Sequence, residues 1–169
     1  MPGPQRWNHV NFAVPPERLP LVEECLDRLF GWEKFVAKPY LLGYRLTTDL
    51  HEAALYIRPV VAAGAVWEAL ERLRRDDAAL DAALGEMHRV DADWADHIGF
   101  MTASVAEWAA RLDTAERLAR ERPDFGIRVV DVLRAGDGRA LTDYLYQAFI
   151  RVGLLGPLRN TFEMQARKA

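Results

Sequence analysis

A pattern of four residues occurs twice in the chain and constrains its fold more than any other feature. Residues 9–12, His-Val-Asn-Phe, are matched by residues 97–100, His-Ile-Gly-Phe, so the histidine and the phenylalanine both recur after 88 residues. In each copy a polar residue precedes the histidine and a β-branched residue follows it. Because recurrence of a pattern indicates a repeated structural unit, the chain of 169 residues is predicted to contain two equivalent units.

The residues after each copy show the same order of predicted elements. After the first copy, apolar residues at helical spacing predict a helix over 17–30, with Gly31 at its C-terminal cap. After the second copy, Ser104 and Glu107 form a capping box that begins another helix, which should end by Pro123. Three strands follow in each half, over 33–37, 40–47 and 53–60, and over 127–133, 141–152 and 160–166.

Both halves are therefore predicted to run strand–helix–strand–strand–strand. We expect an α+β protein that forms one domain over 1–169, with two βαβββ units (about 7–62 and 94–167) whose sheets curl around a shared cavity. A linker helix over 65–89 joins the units, and the spacing of its leucines places them on one face. That apolar stripe packs either on its own domain or against a partner chain. Because an apolar face has to be buried against another surface, we expect a homodimer.

Composition excludes several classes of protein. Lys and Arg number 22 against 25 Asp and Glu, a formal net charge of −3, and no basic stripe is present to bind nucleic acid. The single cysteine, Cys25, excludes a disulfide framework and a thiolate zinc site. The chain shows neither a signal peptide nor a run of about 18 apolar residues. We therefore expect a cytoplasmic protein that has no membrane partner.

Two histidines and one glutamate are the main candidates for a functional site. Side chains alternate between the faces of a strand, so His9 and His97 occupy equivalent faces of the first strands. Phe162 and Met164 flank Glu163 in the last strand and should face the apolar side, which leaves the carboxylate on the side of the histidines. Such a set matches the facial triad that binds a divalent metal ion with open positions. The alternative is two hydrogen-bonded structural histidines and a solvated glutamate, but the repetition of the histidine favours metal binding.

The repeated unit, its two openings and the terminal Thr-Phe-Glu-Met-Gln resemble the vicinal oxygen chelate superfamily over nearly the whole chain. This superfamily includes glyoxalase I, extradiol dioxygenases and bleomycin-sequestering proteins. The resemblance implies that His9, His97 and Glu163 are metal ligands. Alignment of the last strands of the two units puts Tyr56 in the fourth ligand position, where glyoxalase I would have Glu or Gln. We therefore expect three protein ligands, with Tyr56 either hydrogen-bonded to substrate or metal-bound water or simply a half-buried aromatic residue.

The resemblance implies a metal-dependent enzyme that acts on a small organic substrate chelated through oxygens, with the metal as a Lewis acid. Fe(II) with dioxygenase-like chemistry is the leading expectation, and a Zn, Mn or Ni glyoxalase-, epimerase- or lyase-type enzyme is the alternative. No histidine follows His97, although extradiol enzymes use one in the last unit. Tyr146 is a candidate to hydrogen-bond a phenolate or enolate, so Tyr56 and Tyr146 are the candidate catalytic residues. The rival class is a metal-free protein that binds an antibiotic or hydrophobic ligand, as in bleomycin resistance.

Overall fold

Each half of the chain forms a four-stranded sheet in the computed structural model, which describes residues 9–46, 54–87, 97–139, 142–156 and 160–168. The strands are β1 (His9–Val14), β2 (Lys34–Lys38), β3 (Leu41–Arg45), β4 (Ala54–Pro59), β5 (His97–Met101), β6 (Ile127–Leu133), β7 (Leu145–Val152) and β8 (Thr161–Arg167). The helices are α1 (Leu19–Leu29), α2 (Val61–Asp76), α3 (Ala78–Met87) and α4 (Val105–Glu121).

The two sheets have the same topology. Their strand orders are β1-β4-β3-β2 and β5-β8-β7-β6, with the first strand parallel to the last and the other pairs antiparallel. The chain divides into two compact units, Met1–Val66 and Trp67–Ala169. The predicted α+β fold of two βαβββ units is confirmed.

In the first unit, α1 packs against one face of its sheet. Four residues at helical spacing are buried on α1, namely Val22, Cys25, Leu26 and Leu29. The sheet contributes alternate residues of β3 and β4, namely Leu42, Tyr44, Leu55 and Ile57. Gly31 ends the helix with a φ of 58°, and its amide donates to the Leu26 carbonyl at 3.3 Å, as expected for a glycine just after a helix. The opposite face of the sheet carries His9 and Tyr56.

In the second unit, α4 covers the corresponding face. The capping box holds the start of α4, where the Ser104 hydroxyl accepts from the Glu107 amide at 3.1 Å. The buried side of α4 consists of Trp108, Leu112, Ala115 and Leu118. It packs on strands β6, β7 and β8, whose buried residues include Ala148, Ile150, Phe162 and Met164. This packing leaves the other face of the sheet, with Glu163, available for a site.

The predicted linker differs from the structure, which has two helices in place of the single helix over 65–89. The Asp77 carboxylate accepts hydrogen bonds from the amides of Ala79 and Leu80, both at 2.9 Å, and so caps a new helix. Residues 88–96 lie outside the described part of the chain. None of the helices in the described ranges is both long and apolar enough to cross a membrane.

Candidate functional site

Glu163 lies in the middle of β8, on the face of the second sheet that α4 does not cover. Its neighbours across the sheet are Gly99 on β5 and Phe149 on β7. The residue is only 6% exposed. Because a buried carboxylate is costly unless it is hydrogen-bonded or paired, its contacts indicate what the site can hold.

Three side chains surround this carboxylate. Oε1 of Glu163 accepts hydrogen bonds from Nε2 of Gln147 and Nε2 of Gln165, both at 2.6 Å. Oε2 lies 3.2 Å from Nε2 of His97. The structure therefore brings together two of the three predicted metal ligands, His97 and Glu163, within one unit.

The residues beside the pair leave space on one side and pack tightly on the other. A Cβ atom at Gly99 would lie 3.3 Å from Oε2 of Glu163, so the absence of a side chain there leaves room around this oxygen. Phe149 is fully buried, and the ring centroids of His97 and Phe149 are 5.6 Å apart in an edge-on contact. The His97 side chain is 27% exposed. A ligand can therefore reach the His97 imidazole from solvent. The same imidazole is held in place by its contact with the ring of Phe149.

Positive charge lies on the same face of the sheet. Arg151 is paired with Thr161 on β8 and with Arg128 on β6, so the two arginines stand directly opposite each other. Nε of Arg151 donates to Oδ1 of Asn160 at 2.9 Å. Burial lowers the pKa of Arg151, and the positive charges of Arg128 and Arg74 lower it further. A guanidinium nevertheless stays charged at neutral pH, so Arg128 and Arg151 place two positive charges at this end of the face.

In the first unit, His9 lies beside an aromatic residue, Tyr56. Asn11 pairs with Tyr56 in the same register in which Gly99 pairs with Glu163, so Tyr56 does occupy the position equivalent to Glu163. The rings of His9 and Tyr56 are 5.5 Å apart, and the ring of Phe35 lies 5.8 Å from that of Tyr56. His9 itself is exposed.

The structure does not place Tyr146 with Glu163. Tyr146 pairs with Ala166 and lies on the face that packs against α4, where its ring is 5.4 Å from that of Trp108. Its neighbour Gln147 points to the Glu163 face instead. Gln147 and Gln165 are not among the site residues predicted from the sequence. The signal for them was weak, since it consists only of a polar residue within the apolar strand β7 and of a second one two residues after Glu163.

Comparison with known proteins adds to this geometry. Neither a protein-family model nor a curated protein matches the sequence. Among solved structures, a glyoxalase-related enzyme from Fulvimarina pelagi matches with a TM-score of 0.52 and 13% identity, over 97% of this chain and 89% of that one. A glyoxalase family protein from Bacillus anthracis matches with a TM-score of 0.50 and 12% identity, over 99% of both chains. This chain has the glyoxalase fold. The resemblance to the vicinal oxygen chelate superfamily is thus confirmed at the level of the fold.

The donor atoms in this glyoxalase fold suit a divalent cation. Within neither unit do the described residues bring three His, Cys, Asp or Glu side chains together. The second unit does supply one imidazole nitrogen and one carboxylate oxygen, and amide donors orient the carboxylate in the way that outer partners orient metal ligands. Imidazole and carboxylate together suit Fe(II), Zn, Mn or Ni. His97 and Glu163 therefore fit the metal that the resemblance implies.

Proposed function

We propose that this glyoxalase-fold chain is a metal-dependent enzyme that acts on a small organic substrate chelated through oxygen atoms. The observation that carries the proposal is the buried Glu163 carboxylate, with one oxygen held by two amides and the other 3.2 Å from His97. His97 and Glu163 would hold the ion, and His9 is the third ligand predicted from the sequence. We further propose that the two units belong to one domain, in a cytoplasmic protein.

Fe(II) is the proposed metal, because two histidines and one carboxylate leave coordination positions open for substrate and dioxygen. A divalent ion supplies Lewis-acid stabilisation of an oxyanion of the substrate. Other side chains of the second unit would contact the substrate. Phe149 forms an apolar surface beside His97. The positive charges of Arg128 and Arg151 favour a substrate with a carboxylate or similar anion. Zn, Mn or Ni in an isomerase-, epimerase- or lyase-type enzyme is the alternative.

Reconstitution of the purified chain tests the proposal. The metal-free protein is loaded without oxygen with Fe(II), Zn, Mn or Ni, and the metal bound per chain is measured by plasma emission. About one ion per chain is expected, and His97→Ala should lose it. Oxygen uptake by the Fe(II) form with small carboxylic acids would then support the dioxygenase. Turnover by the Zn, Mn or Ni form would support the isomerase-, epimerase- or lyase-type enzyme. A wild-type chain that binds none of these ions would contradict the proposal and favour the metal-free binding protein.

Tyr56→Phe should keep the full complement of metal, because the imidazole–carboxylate pair of the second unit does not include this phenol. Catalytic turnover should fall if the hydroxyl hydrogen-bonds the substrate. The matched control is Tyr146→Phe, which removes a hydroxyl from the face that packs on α4. Plasma emission on both variants makes the comparison, and loss of the ion from Tyr56→Phe alone would make Tyr56 a fourth ligand.

We also propose a homodimer. The linker leucines Leu70, Leu73, Leu80 and Leu84 follow helical spacing, and Leu73 is 53% exposed. The other three leucines are half-buried, and apolar side chains left partly exposed favour burial against another surface. Sedimentation velocity at micromolar concentration should therefore give the mass of two chains, and Leu73→Lys should shift the boundary toward one chain. A single species with the mass of one chain in the wild type would contradict the dimer.

A further inference from the structure

Two glutamine side chains bind the same oxygen of Glu163. Gln147 and Gln165 lie directly opposite each other on β7 and β8, and both amides donate to Oε1. Oε2 instead faces His97, next to the space left by Gly99. One oxygen of the carboxylate is therefore occupied by two donors, and the other is left for the imidazole side of the site.

When the Gln147 amide donates to Glu163, the side-chain oxygen of Gln147 points away from the carboxylate. The residue is 1% exposed, and its Oε1 accepts no hydrogen bond from the described residues. Because an ionised carboxylate can only accept hydrogen bonds, the amide must turn its NH₂ group toward Glu163 and its oxygen away. A buried acceptor without a partner costs stability, which a leucine of similar size would avoid. Packing alone therefore does not explain a glutamine at this position.

The first unit provides an internal comparison. Tyr56 pairs with Gly43 as Glu163 pairs with Phe149. Leu41 precedes Gly43 by two residues, as Gln147 precedes Phe149, and Arg58 follows Tyr56 by two residues, as Gln165 follows Glu163. Where the carboxylate is replaced by a tyrosine, both glutamines are replaced as well. The two glutamines are therefore present in the unit that has the carboxylate and absent from the equivalent positions of the other unit, although both units have the same fold.

We infer that Gln147 and Gln165 are positioning residues that hold the Glu163 carboxylate so that Oε2 alone is offered to a divalent cation. The inference rests on the proposed function. A carboxylate already fixed by outer hydrogen bonds loses less freedom when it binds a metal, and removal of such partners typically weakens metal binding about 10–100-fold.

Calorimetric titration of the metal-free chain with Zn and with Mn tests the inference. Gln147→Leu and Gln165→Leu should each weaken binding about 10-fold, and the double variant about 100-fold. Ile150→Val is the matched control, since it changes a buried residue of β7 on the opposite face, and its affinity should equal that of the wild type. Infrared difference spectra of the metal-free protein, with Glu163→Gln as reference, should show a shifted Glu163 carboxylate band in Gln147→Leu but not in Ile150→Val.

The outcomes separate this inference from the function on which it rests. Wild-type affinity and an unshifted carboxylate band in the glutamine variants would overturn the positioning role alone. An equal loss of affinity in Ile150→Val would also overturn it, because the effect would then be general to the strand. A wild-type chain that binds neither Zn nor Mn would overturn the proposed function together with the inference. If the double variant does not fold, the two single variants still decide the result.

Discussion

Trp108→Ala should lower the free energy of unfolding by about 3–5 kcal/mol, the range found when a large buried aromatic side chain is truncated. Trp108 is 2% exposed and lies in the first turn of α4, on the buried side of the helix. Its Nε1 donates to the Met164 carbonyl at 2.9 Å, and its ring contacts Tyr146. The truncation therefore creates a cavity and removes a hydrogen bond between the helix and β8, the strand that carries Glu163.

Urea denaturation followed by circular dichroism measures this change. Trp108→Phe is the matched control, because it keeps most of the apolar area and loses chiefly the indole N–H, so its loss should be about 1–2 kcal/mol. A loss below about 1 kcal/mol in Trp108→Ala would contradict the packing of α4 on the second sheet.

Glu163→Gln should abolish stoichiometric metal binding while leaving the fold intact. The substitution keeps the size of the side chain and one acceptor oxygen for the amides of Gln147 and Gln165, but it removes the negative charge that a cation requires. We expect the affinity for Fe(II) or Zn to fall more than 100-fold, beyond the about 10–100-fold effect of an outer partner. Because the substitution keeps both of these hydrogen bonds, the metal-free variant should melt close to the metal-free wild type.

Plasma emission after reconstitution and thermal melting of the metal-free proteins give the two readouts. Asp137→Asn removes a negative charge in the turn between β6 and β7, away from this strand, and should keep the ion. Full metal content in Glu163→Gln would mean that the cation is held elsewhere.

The strand pattern was sufficient to predict that Glu163 and His97 lie on the same face of their sheet. Side chains alternate strictly along a strand, and Phe162 and Met164 on either side of Glu163 left only one face for the carboxylate. The same alternation in the last strand of the first unit placed Tyr56 in the equivalent position, and the observed register agrees.

Other features depend on information that a sequence pattern does not contain. Both faces of β7 carry a large buried apolar side chain, Ile150 on one and Phe149 on the other, so these residues alone did not show which face α4 covers, and Tyr146 lies on the α4 side. The break of the linker follows from one carboxylate, Asp77, that reaches two amides, whereas the leucine spacing continues across it. Gln147 is identified only by its distance from Glu163.

Anomalous diffraction from crystals grown with Mn or Zn tests most directly whether the His97–Glu163 pair holds a divalent cation. We expect one strong peak at about 2.0–2.2 Å from Nε2 of His97 and from Oε2 of Glu163, the usual range for these donors around a transition metal. Gln147 and Gln165 should still donate to Oε1 in that structure. A crystal that shows the pair well ordered at 3.2 Å in the presence of excess metal, with no peak beside it, would contradict the proposal.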